Sequence, residues 1–552
     1  MKAQNNSLVI GFKNRKQRVS VALRAFIGIS CLVAGSFSFP QDLSVLKQEL
    51  SMGVDSRTKL VQEMVDSIFS FAEPGFQEFR TSAYLTGILE ANGFAIERGI
   101  SGIPTAWTAT WGEGKPVISL GSDIDALLGL SQVPGVTGMD PLVAGAPGHG
   151  EGHNSGMPAM IAAALAVKDI MIANDIPGTL ILWPGIAEEL LATKAYFVRD
   201  GLFDNVDANI FTHVGRELNT SWGDARNNGM VSVEYSFSGR TSHGAAAPWD
   251  GRSALDAVEI MNYAWNMRRE HLPLSQRSHY VITNGGGQPN VVPGEASVWY
   301  YFRDESFESV RNLFEIGNTI SEAAAMATET TVQRRVLGYA APHHGNRPIA
   351  EAAYENIKMI GMPTWSEDDA AFSNAVQRGV RGSGITPIPL ATEIDPLSTP
   401  ETRGEARQGY SDDVGDIMWT IPSITIGYPS NIPNTIPHHY SSAMAMATPI
   451  AHKGAVTGAK AVGMTVLDLL LDPGLLDEAR DYFINVQKAP ETYDPVLSAQ
   501  DMPAIELNSE TMDRIRESME PYYYDPSRYD SYLEQLGIEY PGQGISTLPV
   551  RQ

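Results

Sequence analysis

The chain has 552 residues, 43% of them hydrophobic and 19% charged, and a formal net charge of −24. That length exceeds one compact core and predicts two lobes with extensions. The acidic balance excludes nucleic acid and anionic membrane as partners, because both require a cationic surface.

The first 24 residues carry six basic groups (Lys2, Lys13, Arg15, Lys16, Arg18, Arg24), no acidic residue precedes Asp42, and an apolar run, AFIGISCLVAGSF, follows from Ala25 to Phe37. Basic, then apolar, then small residues is the layout of a secretory signal peptide, and the run is too short for a bilayer span. The expectation is a leader over 1–38 and a periplasmic or secreted protein; an N-terminal anchor or a transit peptide is the alternative. Cys31, the only cysteine, lies inside this segment. The remainder therefore has neither a disulfide framework nor a thiol nucleophile. Without the six leader cations, 34 basic residues face 64 acidic ones, so no membrane partner is expected after leader removal.

From Thr58 to Gly93 apolar positions recur three or four apart, in KLVQEMVDSIFSFAE and SAYLTGILEANG, which predicts helices. Four short apolar runs then read as buried strands: PVISLG (116–121), TLILWPG (179–185), ANIFTH (208–213) and SITIG (423–427). The first three alternate with helical segments, as in an α/β sheet. Polar groups sit just past each strand end: SDID at 122–125, AEE at 187–189, His213, and His438-His439 some eleven residues after the fourth run. Ligands collect at the carboxyl ends of strands in open α/β sheets, so these groups are candidates for one crevice.

Between 230 and 342 the pattern changes to β-α-β-β-α-β. The strands read MVSVEYSFSG, SHYVITN, ASVWYYFRD and TTVQRRVLGY, and the helices SALDAVEIMNYAWNMRREHL and FESVRNLFEIGNTISEAAAMA. This predicts an inserted α+β domain that divides the first domain into 39–229 and 343–475. Residues from about 385 to 410, rich in proline, threonine and charge, read as a surface loop, and 476–552 as an acidic, tyrosine-rich extension wrapping the surface.

The stretch GHGEGHN (148–154) places two imidazoles and a carboxylate on glycine-rich chain. A metal site of hard and borderline ligands needs such donors with a position left open for water. Glu151, His153, Glu188, Glu189, His213 and His439 are the candidates. Singly each is ambiguous, since a strand-end histidine also serves in a core and paired glutamates also start helices.

In order, and with the inserted domain, these residues resemble the metal-dependent amidohydrolases of the aminoacylase and carboxypeptidase type. The likeness runs from about 58 to 472 through GSDIDALLGLSQ, GAPGHGEGHN, WPGIAEELLATKAYFVRDGLF, IFTHVG, GRTSHGAAAPWDGRSALDAVEIMN, GGGQPNVVP, YSDDVGDIMW and IAHKGAVTGAKAV. The fold implied is a catalytic domain with a mixed sheet flanked by helices, plus an inserted α+β dimerisation (lid) domain. The resemblance implies two divalent metal ions, zinc or manganese, held by Glu151, His153, Glu189, His213 and His439, with His438 the alternative to His439. Glu188 would be the general base and Asp125 would orient a ligand, a role it shares with capping a helix start. In the inserted domain, His243 would polarise the scissile carbonyl across a homodimer, Asn290 would contact substrate and Arg303 would hold its carboxylate. Where the family usually has a ligating cysteine, this chain has Glu151, which keeps a donor and makes the site harder. Asp413 and Asp416 match a family motif that turn formation alone also explains. His149, His343, His344 and His452 are read as structural or surface residues.

The implied activity is hydrolysis of an amide between an acyl or aryl group and an amino acid, an N-acyl amino acid or an aminobenzoyl-glutamate-like small molecule. A dipeptidase or carboxypeptidase, and a non-catalytic dimeric binding protein, are the alternatives.

Overall fold

The run PVISLG becomes a strand in which every residue from Val117 to Asp123 is buried, the continuous burial expected of a strand covered on both faces. The computed structural model describes residues 42–404 and 408–542, so the leader expected over 1–38 lies outside the described residues. In chain order the strands are β1 (Ala95–Arg98), β2 (Trp107–Glu113), β3 (Val117–Asp123), β4 (Gly178–Gly185), β5 (Ala208–Gly215), β6 (Asn219–Thr220), β7 (Gly223–Asp224), β8 (Gly229–Ser238), β9 (Arg277–Asn284), β10 (Glu295–Asp304), β11 (Thr331–Ala340), β12 (His344–Gly345) and β13 (Ser423–Pro429).

Seven of them form a mixed sheet in the order β1-β2-β4-β3-β5-β13-β6. β3, β4, β5 and β13 run parallel, while β1, β2 and β6 add antiparallel edges. The helical segments His153–Ala173 and Pro449–Leu471 are apolar enough by composition to cross a bilayer, yet 78% and 89% of their most apolar windows are buried inside the protein. They are core helices. Gly121 in β3 leaves room for the Trp183 ring, which stacks on Phe211 at 5.8 Å and meets Phe203 edge-on.

The excursion from β8 to β11 is a four-stranded antiparallel sheet, β11-β8-β10-β9, with helices Ala254–Arg268 and Phe307–Thr328 packed on it. The second helix starts at Ser306, whose side chain and that of Ser309 cap each other's backbone N–H groups. Trp265, Tyr235, Tyr300 and Phe302 fill the space between sheet and helices. The ribbon β7–β12 pairs the chain as it leaves for this unit with the chain as it returns. After Tyr482 the chain crosses back over the first helices: Arg516 pairs with Glu73, Tyr524 N donates to Ser70 Oγ at 3.0 Å, and Tyr532 N to Asp66 Oδ2 at 3.0 Å.

Candidate metal centre

The four parallel strands open their carboxyl ends on one edge of the sheet, and each delivers chemistry there. Asp123 ends β3, with Asp125 two residues on. After β4 the chain makes a tight turn in which Ala187 and Leu191, both at φ 51°, bracket Glu188 and Glu189. His213 lies in β5, and His438, at φ 53°, follows β13. Left-handed backbone at a non-glycine residue costs about 1–3 kcal/mol and persists where the surroundings fix it. One such restraint is buried Glu78, which accepts the Ala187 N–H at 3.0 Å. In the 148–154 loop, Gly152 has φ +125° and a Cβ there would lie 2.7 Å from Met446, so only glycine lets Glu151 and His153 turn to one cluster.

The two oxygens of Glu151 lie 3.5 Å from His213 Nε2 and 3.0 Å from His438 Nε2. His438 Nε2 is also 3.3 Å from Glu189 Oε2. His153 Nε2 is 3.8 Å from Glu188 Oε2, and its Nδ1 is 3.3 Å from Asp125 Oδ1. Asp125 Oδ2 accepts the Glu189 N–H at 3.0 Å, so one carboxylate both orients His153 and caps the turn bearing Glu189. Among the described residues four sets of donor atoms, Glu151/His153/His213, Glu151/Glu189/His438, Asp123/His153/Glu188 and Glu188/Asp412/Asp413, each gather within 4.8 Å.

These atoms fit divalent cations. His153 Nδ1 faces a carboxylate and His213 Nδ1 the Val214 carbonyl at 2.9 Å, so the proton sits on Nδ1 and Nε2 is the bare nitrogen aimed at the cluster. His153 Nε2 is buried without a hydrogen-bond partner among the described residues. Bare nitrogens facing carboxylate oxygens repel unless a positive charge lies between them. Without metal, protons meet that demand. Burial pushes the Glu151 carboxyl up, but His438, His213 and His153 outweigh it and hold it at about 2. Burial and the Glu151 charge push Glu189 up to about 8. His153, which burial alone would lower, is held well above the usual imidazole range by Asp125, Glu189 and Asp123. Glu188 is raised by burial, then by Asp412 and Asp123.

Of the residues singled out from the sequence, the structure brings Glu151, His153, Glu188, Glu189, His213 and Asp125 together, and Arg303 lines the same cleft of about 750 Å³. His439 is not with them. Its Nδ1 accepts from Ser441 N at 3.3 Å and its ring lies tilted against Tyr440, so the histidine at the cluster is His438. Left-handed backbone at His438 swings the two neighbouring side chains apart. His243 and Asn290 are solvent-exposed on adjacent loops, joined by a Gly244 N–H to Asn290 O bond of 2.8 Å, and do not line this cleft.

Beneath the cluster lies a feature not anticipated from the sequence: Lys194, fully buried, with Nζ 2.6 Å from Asp123 and also bonded to Asp413. Asp413 further accepts the Thr193 and Lys194 N–H groups at 3.1 Å each, so it does more than form a turn. Asp416 accepts from Ala341 N and Tyr493 OH, a structural tie. The only hint was position, since Asp123 opens the DID motif and Asp413 lies in YSDDVGD. His149 is buried against the Ile68 carbonyl and pushed down to about 3 by burial, and His452 pairs with Asp66; both are structural. His343, read as structural or surface, instead lines the cleft.

Residues 226–329 match the family description of a peptidase dimerisation domain. Over 441 residues the chain is 34% identical to one of the subunits of the p-aminobenzoyl-glutamate hydrolase of Escherichia coli, covering 76% of this chain and 90% of that protein. It is 27% identical to the Xaa-Arg dipeptidase of Mus musculus over 80% of this chain and 93% of that one. A solved structure from methicillin-resistant Staphylococcus aureus, described as an aminohydrolase, shares the fold at TM-score 0.53 and 18% identity, over 77% of this chain and all of that one. With the donor cluster at the strand ends and this likeness along three quarters of its length, the chain belongs to the family of metal-dependent amidohydrolases and peptidases that includes p-aminobenzoyl-glutamate hydrolase.

Proposed function

We propose that the protein cleaves the amide between an acyl or aryl group and an amino acid, using two divalent ions held by Glu151, His153, Glu189, His213 and His438. The observation that carries this reading is the division of labour between adjacent glutamates. Both line the cleft, but Glu189 turns toward His438 and Glu151, whereas Glu188 Oε2 faces His153 on the other side. The all-oxygen-and-nitrogen donor set suits zinc or manganese. Bound ions supply Lewis acidity and lower the pKa of water at the site toward neutrality. Glu188 takes the proton of the attacking water and returns it to the leaving nitrogen. Its burial among carboxylates raises its proton affinity, which suits a base that must hold the proton between the two transfers. Arg303, half-buried with an unpaired Nε, holds the carboxylate of the amino-acid portion.

The working form is a homodimer in which His243 and Asn290 serve the site of a second copy. In support, both lie exposed within the matched dimerisation domain, whose outer helix carries exposed Ile260, Tyr263 and Met267 and whose edge strand β9 carries exposed Val281. The dipeptidase reading has one specific support, the 27% identity to an Xaa-Arg dipeptidase. Export through the N-terminal leader completes the proposal.

Glu188→Gln is expected to retain metal, measured by elemental analysis, and to lose about 10²- to 10⁴-fold in turnover of N-acyl amino acids, because the isosteric amide cannot accept a proton. Mixed with His243→Ala protein, with subunit exchange verified by tagged co-purification, it should regain activity in hybrid dimers. Wild-type turnover in Glu188→Gln removes the base, and exchange without recovery removes the shared site.

A further inference from the structure

His343 stands where the chain returns from the inserted domain, between β11 and β12. Its backbone is held on both sides: the N–H donates to Asn227 Oδ1 at 2.8 Å, and the carbonyl accepts from Ala225 N at 3.1 Å. Its ring is held as firmly. Nε2 lies 3.1 Å from the Asp412 carbonyl, and the ring meets Tyr410 edge-on at 6.2 Å. Cδ2 faces Gly415, where a Cβ would come within 3.2 Å of it. A carbonyl oxygen only accepts, so Nε2 carries the proton and the neutral ring presents Nδ1 as a bare acceptor. Burial, which lowers the proton affinity of His343, keeps the ring neutral.

The Nε2–Cδ2 edge is occupied by Asp412 and Gly415, which leaves the Nδ1 edge turned the other way. His343 lines the cleft, and among the described residues no donor reaches Nδ1. Beside it, Asp412 uses Oδ1 to accept from Val414 N at 2.9 Å, and this carboxylate lines the same cleft. The nearest lysine, Lys194, is fully buried, bonded to Asp123 and Asp413 with its Nζ also 3.9 Å from Asp412 Oδ1, and makes no hydrogen bond to the His343 ring. The cleft therefore carries, in His343, a rigid acceptor that lies outside every group of metal-ligating side chains among the described residues, next to an Asp412 carboxylate that is itself grouped with Glu188 and Asp413. Such a pair repels a carboxylate and rewards a donor.

We infer that His343, with Asp412 beside it, is a specificity-determining residue that reads an N–H donor of the substrate, an amine- or guanidinium-type nitrogen. This rests on the amide-hydrolysis reading above. The donor has two possible sources, the acyl or aryl portion and the side chain of the amino acid, and paired substrates separate them. The metal-loaded enzyme would be assayed on 4-aminobenzoyl-glutamate against benzoyl-glutamate, and on benzoyl-arginine against benzoyl-norleucine.

The wild type is expected to favour the donor-bearing member of at least one pair. His343→Phe, which keeps a ring against Tyr410, should cut that preference roughly 3- to 10-fold through KM, the range of one net hydrogen bond, with kcat on benzoyl-norleucine and metal content unchanged. His343→Gln, which restores an acceptor, should recover part of it. A purely packing role would lower both members of a pair alike and would not be rescued by Gln. Equal preference in wild type and His343→Phe overturns the inference, and so does a wild type indifferent within both pairs, a result that needs no variant. A wild type inert on all four compounds overturns the amide-hydrolysis reading itself and this inference with it.

Discussion

His438 and His439 are chemically identical neighbours with opposite surroundings: one touches Glu151 and Glu189, the other caps the Tyr440–Ala443 turn. His438→Ala should therefore lose metal by more than the roughly 10- to 100-fold typical of an outer-sphere partner, while His439→Ala stays near wild type. Metal content after dialysis against a buffered chelator checks this, and equal loss in both variants would count against the assignment. Glu78 offers a test through pH. It is wholly buried, and burial, with the Asp125 charge, pushes it up to about 8 from 4.5. The folded state thus keeps a proton that the unfolded chain releases above 4.5. Its contribution to stability is complete below 4.5 and is lost as pH rises toward 8. Urea midpoints at pH 5 and pH 8 should differ more for the wild type than for Glu78→Gln, and identical slopes would refute the shift. Glu78 was not legible beforehand, because nothing in PGFQEFR says that its carboxyl will end up under a turn more than 100 residues away.

At the scale of elements, the central strands read well because burial on both faces leaves an uninterrupted apolar run. β1 and β2 escaped notice because β1 is an edge strand with no buried residue and β2, between β1 and β4, is buried only in its first half. Gly121 shows how tightly the middle is built. A Cβ there would lie 2.1 Å from the Trp183 ring, which cannot retreat because Phe211 and Phe203 enclose it. Gly121→Ala should cost about 1–3 kcal/mol by overpacking, read as a lower urea midpoint at unchanged slope. An unchanged midpoint would mean that the β3–β4 layer has slack the structure does not show.

For the whole molecule, the segment after residue 488 ties distant parts together. Met512 and Met519 pack on Ala72, Ala126 and Ala146, Asn508 Nδ2 donates to Gly75 O at 2.9 Å, and Gly542 N to Gly135 O at 3.1 Å. The helix Thr58–Phe71 that it braces also carries Ile68, whose carbonyl holds His149 in the ligand loop. A chain ending at 488 should therefore unfold at lower temperature, bind a hydrophobic dye through the bared Met patch, and hold metal more weakly. Retention of all three properties would reduce the extension to a passive appendage.

The sequence by itself determined what local chemistry dictates: strands and helices from apolar period, the inserted α+β unit from its change of pattern, and acidic and imidazole groups at strand ends where ligands gather. It also picked out Glu151 on a glycine-rich loop, which the structure places beside His213 and His438. Only the tertiary structure decided which of two adjacent histidines reaches the cluster, because a left-handed residue is stabilised by packing and not by its own identity. The same holds for the Lys194–Asp123–Asp413 cluster and for the wall bearing His343. Their bonded pairs lie 69 to 219 residues apart in sequence, and a buried charge pair or an aimed ring nitrogen exists only once the chain has brought them together.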